Sequence, residues 1–105
     1  MIIHFYIKSD QKHWHGLRHI AVFYFAECEP SFMFAITNWV RTMYLDNSIG
    51  TVFYNDWDWS SEQGTMRIES SMGCDIETLR EACTKIVEFV HEIDSENICR
   101  FCKGK

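Results

Sequence analysis

Two short apolar segments followed by a helical pattern occur twice in this chain, and this order leaves few folds open. The segments "IIHFYIK" and "HIAVFYFA" are rich in isoleucine and aromatic residues, which is typical of strands, and a segment with helical periodicity begins at "PSFMF". The segments "GTVFYNDW" and "GTMRIES" predict two further strands, and "DIETLREACTKIVEFVHEID" predicts a second helix. The sequence therefore predicts the order β-β-α-β-β-α.

Both predicted helices carry a start signal and an apolar stripe. Pro30 is placed as the first residue of one helix, and Asp75 as the N-cap of the other, with Glu77 in the first turn where the helix dipole favours a carboxylate. The stripes recur at steps of three and four residues. They comprise Phe32, Ile36, Trp39, Val40 and Met43 in the first helix, and Ile76, Leu79, Cys83, Ile86, Val90 and Ile93 in the second.

An α+β two-layer sandwich buries both stripes at once. We expect a four-stranded antiparallel sheet with the two helices on one face, as a single domain over residues 1–98, followed by a short basic tail over residues 99–105. A ferredoxin-like arrangement is the alternative, and it requires that one strand is misassigned. The order of the strands within the sheet cannot be read from the sequence.

The composition favours a reduced, intracellular protein. The chain has 105 residues, 47% of them hydrophobic, and its first residues lack the basic and apolar pattern of a signal peptide. No apolar run approaches the roughly 20 residues that a membrane helix needs. Five cysteines, an odd number, argue against a disulfide framework. We therefore expect a cytoplasmic protein that does not associate with membranes.

The net charge of −5 is unevenly distributed along the chain. Residues 28–98 contain 13 acidic against four basic side chains, whereas the last seven residues contain three basic side chains and no acidic one. An acidic body repels nucleic-acid phosphates and attracts basic protein surfaces. The expected partner is therefore a protein with a basic surface, and no direct binding of nucleic acid is expected.

The segment "NDWDWSSEQG" is the strongest candidate for a contact surface. Asp56 and Asp58 alternate with Trp57 and Trp59, and Glu62 follows. A calcium loop is excluded because neither the glycine nor the final glutamate of that motif is in place. Tryptophan is enriched among the residues that dominate binding energy at interfaces, so we interpret these five residues as a partner-binding site. The alternative is that one tryptophan packs on the core edge while the carboxylates stay in water.

A zinc site is a second possibility. Cys99 and Cys102 have C-x-x-C spacing, and His13 and His15 could complete four ligands if the tail lay beside the first hairpin, where His19 also lies. A second close pair of cysteines is missing. The alternative is that the tail packs on the domain through Ile98 and Phe101.

A thiol nucleophile is a weaker third possibility. Cys74 precedes the predicted N-cap of the second helix, where the helix dipole can stabilise a thiolate, but no histidine base for it can be identified from the sequence. The alternative is that Cys74 packs against Leu79.

Taken together, these patterns predict a small acidic, non-enzymatic interaction protein. Immunity proteins and phage-encoded inhibitors of enzymes that act on nucleic acids are comparable in size and charge, and such a protein would occlude the basic surface of its target. A metal-binding regulator and a cysteine-dependent enzyme are the alternatives. Four tryptophans, four tyrosines and eight phenylalanines are many for one small core, so a homodimer is also possible.

Overall fold

The computed structural model describes residues 1–10, 18–44, 50–70 and 74–98, and it has the predicted order of elements. The strands are β1 (Ile2–Asp10), β2 (Arg18–Ala26), β3 (Gly50–Asp58) and β4 (Gln63–Ser70), and the helices are α1 (Pro30–Tyr44) and α2 (Ile76–Ile98). All four predicted strands are present. The predicted α+β sandwich is therefore confirmed.

The strands form one antiparallel sheet in the order β1-β2-β4-β3. Each hairpin, β1-β2 and β3-β4, pairs strands that are close in the chain, and β2 and β4 join the two hairpins at the centre. The register aligns one row of residues at the end where β1 and β4 begin and β2 and β3 end. Ile2, Ala26, Gln63 and Asp58 lie side by side in this row.

The helices cover one face of the sheet. Alternate residues of the central strands, Phe23 and Phe25 in β2 and Met66 in β4, are fully buried in one cluster with helix residues. Across the helix pair, the Trp39 and Phe89 rings stack with centroids 3.9 Å apart. The other face carries no described helix, and we call it the open face. No described helix is long and apolar enough to cross a membrane.

Helix starts follow the sequence signals. Pro30 is the first residue of α1, and the backbone carbonyl of Glu29 accepts the first bond of that helix from the Phe32 N–H at 3.0 Å. Asp75 caps α2 because its Oδ1 accepts a hydrogen bond from the Thr78 N–H at 2.8 Å. Hydrogen bonding from Thr78 holds the pKa of the Asp75 carboxyl below its usual range.

One side chain of the predicted α1 stripe faces solvent. Met43 is 55% exposed near the end of the helix, whereas Met33 and Thr37 are fully buried without having been predicted. The Thr37 hydroxyl donates to the Met33 carbonyl at 3.0 Å, which satisfies the polar group inside the core. The stripe of α2 is as predicted, with Leu79, Cys83, Ile86 and Val90 fully buried.

Candidate functional site

The acidic residues predicted for partner binding lie at one end of the open face. β3 extends through Asp58, one residue further than predicted, so Asp56 and Asp58 point to the same side of the strand. Trp57 points to the other side and is buried in the core, where it lies opposite Gly64. The alternation of the strand therefore separates the carboxylates from the first tryptophan.

A tight turn follows β3 and fixes the next residues. The Glu62 N–H donates to the Asp58 carbonyl at 2.8 Å, which closes the turn over residues 59–61. The Asp58 carboxylate accepts hydrogen bonds from the backbone N–H and hydroxyl of Ser60, at 3.0 and 3.1 Å, and from the Ser61 N–H. Hydrogen bonding from the Ser61 hydroxyl, and then from the Ser60 N–H and hydroxyl, holds the pKa of Asp58 below its usual range, so its charge persists in mild acid.

The two tryptophans have different positions. Trp59 is 74% exposed, the most exposed large hydrophobic side chain in the described part of the chain, whereas Trp57 is only 7% exposed. Their rings meet edge to face with centroids 6.4 Å apart. Trp57 thus supports the ring of Trp59 from the core side, in a geometry that aromatic pairs prefer.

A groove beside this turn adds two carboxylates that the sequence had not indicated. It has a volume of about 590 Å³, and Glu27, Glu29 and Glu62 line it together with Cys28 and Ile2. Among the described residues that line it, none is a lysine or an arginine. Glu27 lies at the end of β2 and Glu62 at the start of β4, so the groove depends on the β2-β4 pairing that could not be read from the sequence.

Two of these glutamates have unusual backbone conformations. Glu27 and Glu62 have φ angles of 58° and 56°, and they are the non-glycine residues with positive φ in the described chain. A side chain in this region costs on the order of 1 kcal/mol. Both strained residues line the same groove, which is the kind of position where strain accompanies function. We call Glu27, Glu29, Asp56, Asp58 and Glu62, with Trp59, the acidic end.

The predicted zinc ligands cannot be compared with the structure. His13, His15, Cys99 and Cys102 lie outside the described residues, so the predicted zinc site is neither assembled nor contradicted. Within the described ranges, no group of three or more His, Cys, Asp or Glu side chains could hold a metal ion.

The environment of Cys74 opposes thiol catalysis. Burial and the neighbouring Asp75 raise the pKa of the Cys74 thiol, the reverse of what an activated nucleophile needs. His19, the described histidine of the predicted cluster, is buried, and its Nδ1 lies 2.8 Å from the Ser9 hydroxyl. Its backbone N–H donates to the Ser70 hydroxyl at 3.1 Å. These bonds tie His19 into the sheet.

No family model matches the chain, and neither the curated proteins nor the solved structures contain a significant match.

Proposed function

We propose that this protein is a small acidic, non-enzymatic interaction protein that occludes a basic, nucleic-acid-binding surface of a partner protein. Immunity-type proteins and phage-encoded inhibitors act in this general way. The observation that carries the proposal is the gathering of five exposed carboxylates and one exposed tryptophan at a single end of the sheet.

The charges of the acidic end come from three separate segments of the chain. Asp56 and Asp58 belong to β3, Glu62 to the following turn, and Glu27 and Glu29 to the connection between β2 and α1. Carboxylates spaced across a concave surface can occupy the positions that phosphates take in a basic groove. Binding in this manner is steric and electrostatic and requires no chemistry.

Trp59 supplies the apolar part of the contact. Its ring meets the edge of Trp57, and this contact restrains the indole before a partner covers it. An indole that is exposed in the free protein and buried in the complex is typical of residues that dominate binding energy. In the proposed complex the buried Trp57 does not contact the partner and packs against the ring of Trp59.

A charge-matched pair of variants tests the proposal. The probe is a fluorescently labelled nine-arginine peptide, titrated at several salt concentrations. Asp56→Asn/Asp58→Asn removes two charges from the acidic end, and the asparagine at position 58 keeps a carbonyl acceptor for the turn. Glu81→Gln/Glu88→Gln removes two charges from the exposed side of α2. At roughly 0.5–1 kcal/mol for each surface charge, we expect the first pair to weaken binding about tenfold.

The control pair should change the affinity much less, because its charges lie on the helix layer. Trp59→Ala should weaken binding with little change in salt dependence. Equal losses from both charge pairs would show that the peptide responds only to net charge, and the acidic end would then not be the site. A labelled single-stranded oligonucleotide should not bind, and tight binding of it would contradict the proposal directly.

A further inference from the structure

The outer edge of β1 differs from the other edge of the sheet. β1 is outermost in the strand order, and all nine of its residues are in continuous register with β2. At the opposite edge, β3 has a bulge between Val52 and Tyr54 and carries Asp56 and Asp58. Bulges and charges are the usual means by which proteins block pairing along an edge. β3 has both devices, whereas residues 2–7 of β1 have neither, and the first charged side chain of β1 is Lys8.

Apolar side chains along β1 are incompletely covered. Ile2 and Tyr6 on the open face are 45% and 44% exposed. On the helix face, Phe5 and Ile7 are half-buried, whereas Phe23, directly across from Phe5 in β2, is fully buried. The described part of the chain therefore leaves an apolar strand with a free edge.

We propose that two copies of this chain pair antiparallel along β1, with Phe5 on the two-fold axis. A two-fold interface requires a self-complementary surface. The segment Ile-His-Phe-Tyr-Ile over residues 3–7 has this property, because its side-chain classes read the same in both directions. On the helix face Ile3 of one copy faces Ile7 of the other. On the open face His4 faces Tyr6.

The rings on the open face already stack across strands. The ring centroids of His4 and Tyr24 lie 5.3 Å apart with an angle of 26° between the ring planes. Those of Tyr6 and Tyr24 lie 6.0 Å apart with an angle of 20°. Pairing along β1 extends this stack into the second copy, because each His4 gains a tyrosine on its free side. Lys8 faces Ile2 in this register, so no like charges oppose one another across the interface.

The interface is small. Seven paired residues span about 24 Å, and pairing along such a length buries an area at the lower end of specific interfaces. We therefore expect a dimer that dissociates in the micromolar range. It has one continuous eight-stranded sheet in which β3 is the outer strand of each copy. The proposal does not depend on the proposed function.

Sedimentation velocity tests the pairing over a wide concentration range. We expect the wild-type chain to shift from monomer to dimer with increasing concentration. His4→Glu/Tyr6→Glu places a glutamate of one copy opposite a glutamate of the other on each side of the two-fold axis. This variant should not dimerise. His4→Lys/Tyr6→Glu places lysine opposite glutamate in the same register and should restore it. Thr84→Glu, at an exposed position on α2, is the control and should dimerise normally.

Far-UV circular dichroism checks that each variant is folded. A wild-type chain that stays monomeric at every concentration overturns the proposal. A dimer that survives the double glutamate substitution places the interface elsewhere, and loss of the dimer without rescue by the charge pair overturns the register on Phe5. Amide hydrogen exchange gives a second reading: alternate residues of β1 should become protected as the concentration rises, and unchanged exchange there refutes the pairing.

Discussion

Substitution of Gly64 by alanine tests how the acidic end is held in place. Gly64 lies between Phe25 and Trp57 in the register of the sheet. A Cβ at this position would lie 2.7 Å from Trp57 Cε3 and 3.1 Å from Cζ3, and it would also collide with the Met33 sulfur. The indole would have to retreat by roughly 0.8 Å to reach an ordinary carbon contact of about 3.5 Å.

The expected loss of stability is the balance of two effects. Alanine in a strand is favoured over glycine by about 0.5–1 kcal/mol because it restricts the unfolded chain. Overpacking in a core costs about 1–3 kcal/mol, and this site is at the upper end because the indole is rigid and Met33 is fully buried. We therefore expect Gly64→Ala to lower the free energy of unfolding by about 2–2.5 kcal/mol and Tm by roughly 8–20 °C.

Urea denaturation followed by circular dichroism, at one fixed protein concentration, measures this loss. The same substitution in a Trp57→Phe background should cost about 1 kcal/mol less, because the shorter side chain removes the carbons that the new methyl group meets. A Gly64→Ala variant as stable as the wild type would refute the reasoning. So would strict additivity of the two substitutions, because it would show that Trp57 does not limit the space at Gly64.

Three further predictions concern the turn, a buried thiol and the core. Asp58→Ala should lower Tm, and Asp58→Asn should lower it less, because its neutral carbonyl oxygen accepts the turn bonds more weakly than the carboxylate does. Since those bonds lower the pKa of Asp58, their contribution is present above about pH 4 and is lost as the pH falls through the lowered pKa. The Tm difference between the wild type and the alanine variant should therefore narrow in acid to that between the asparagine and alanine variants, and a constant difference contradicts this account. Burial raises the pKa of Cys83 to about 12, so in a variant whose other four cysteines are serine a thiol reagent should label Cys83 only as fast as the chain unfolds. Rapid labelling in the folded state would show that the thiol is accessible. Phe23→Ala should cost about 3–5 kcal/mol in urea denaturation. Phe34→Ala, at a position that is 39% exposed, is its control and should cost much less; similar losses would mean that Phe23 is not a core residue.

Local sequence signals were sufficient to predict the strands and helices, because the formation of each strand or helix depends on residues that are close in the sequence. Pro30 is the first residue of α1 and the Asp75 carboxylate caps α2, and the period of the apolar residues separates strand from helix. Met43 shows the limit of periodicity, since a residue can fit the stripe and still lie past the end of the core.

The candidate site was predictable only in part. The exposure of Asp56 and Asp58 follows from strand alternation once the end of β3 is known, and the sequence suggested a boundary one residue too early. Glu27 and Glu29 reach the acidic end because β2 pairs with β4, a choice between distant segments that no local pattern specifies. The segment "AECEP" is an acidic stretch before a helix and offers no indication of its neighbour.

The pairing of β2 with β4 has a consequence for how the chain folds. Both hairpins close between neighbouring segments, whereas β2 and β4 meet only when residues from the two halves of the chain come together. Closing the longer loop costs more chain entropy, so the two hairpins should form from local contacts before they dock. Each helix packs mainly on the strands of the other half of the chain, so it is buried only when the hairpins meet. The centre of the sheet then behaves as an internal interface between two halves of one polypeptide. Substitutions along it, such as at Phe23 or Met66, should slow folding more than substitutions at either outer strand.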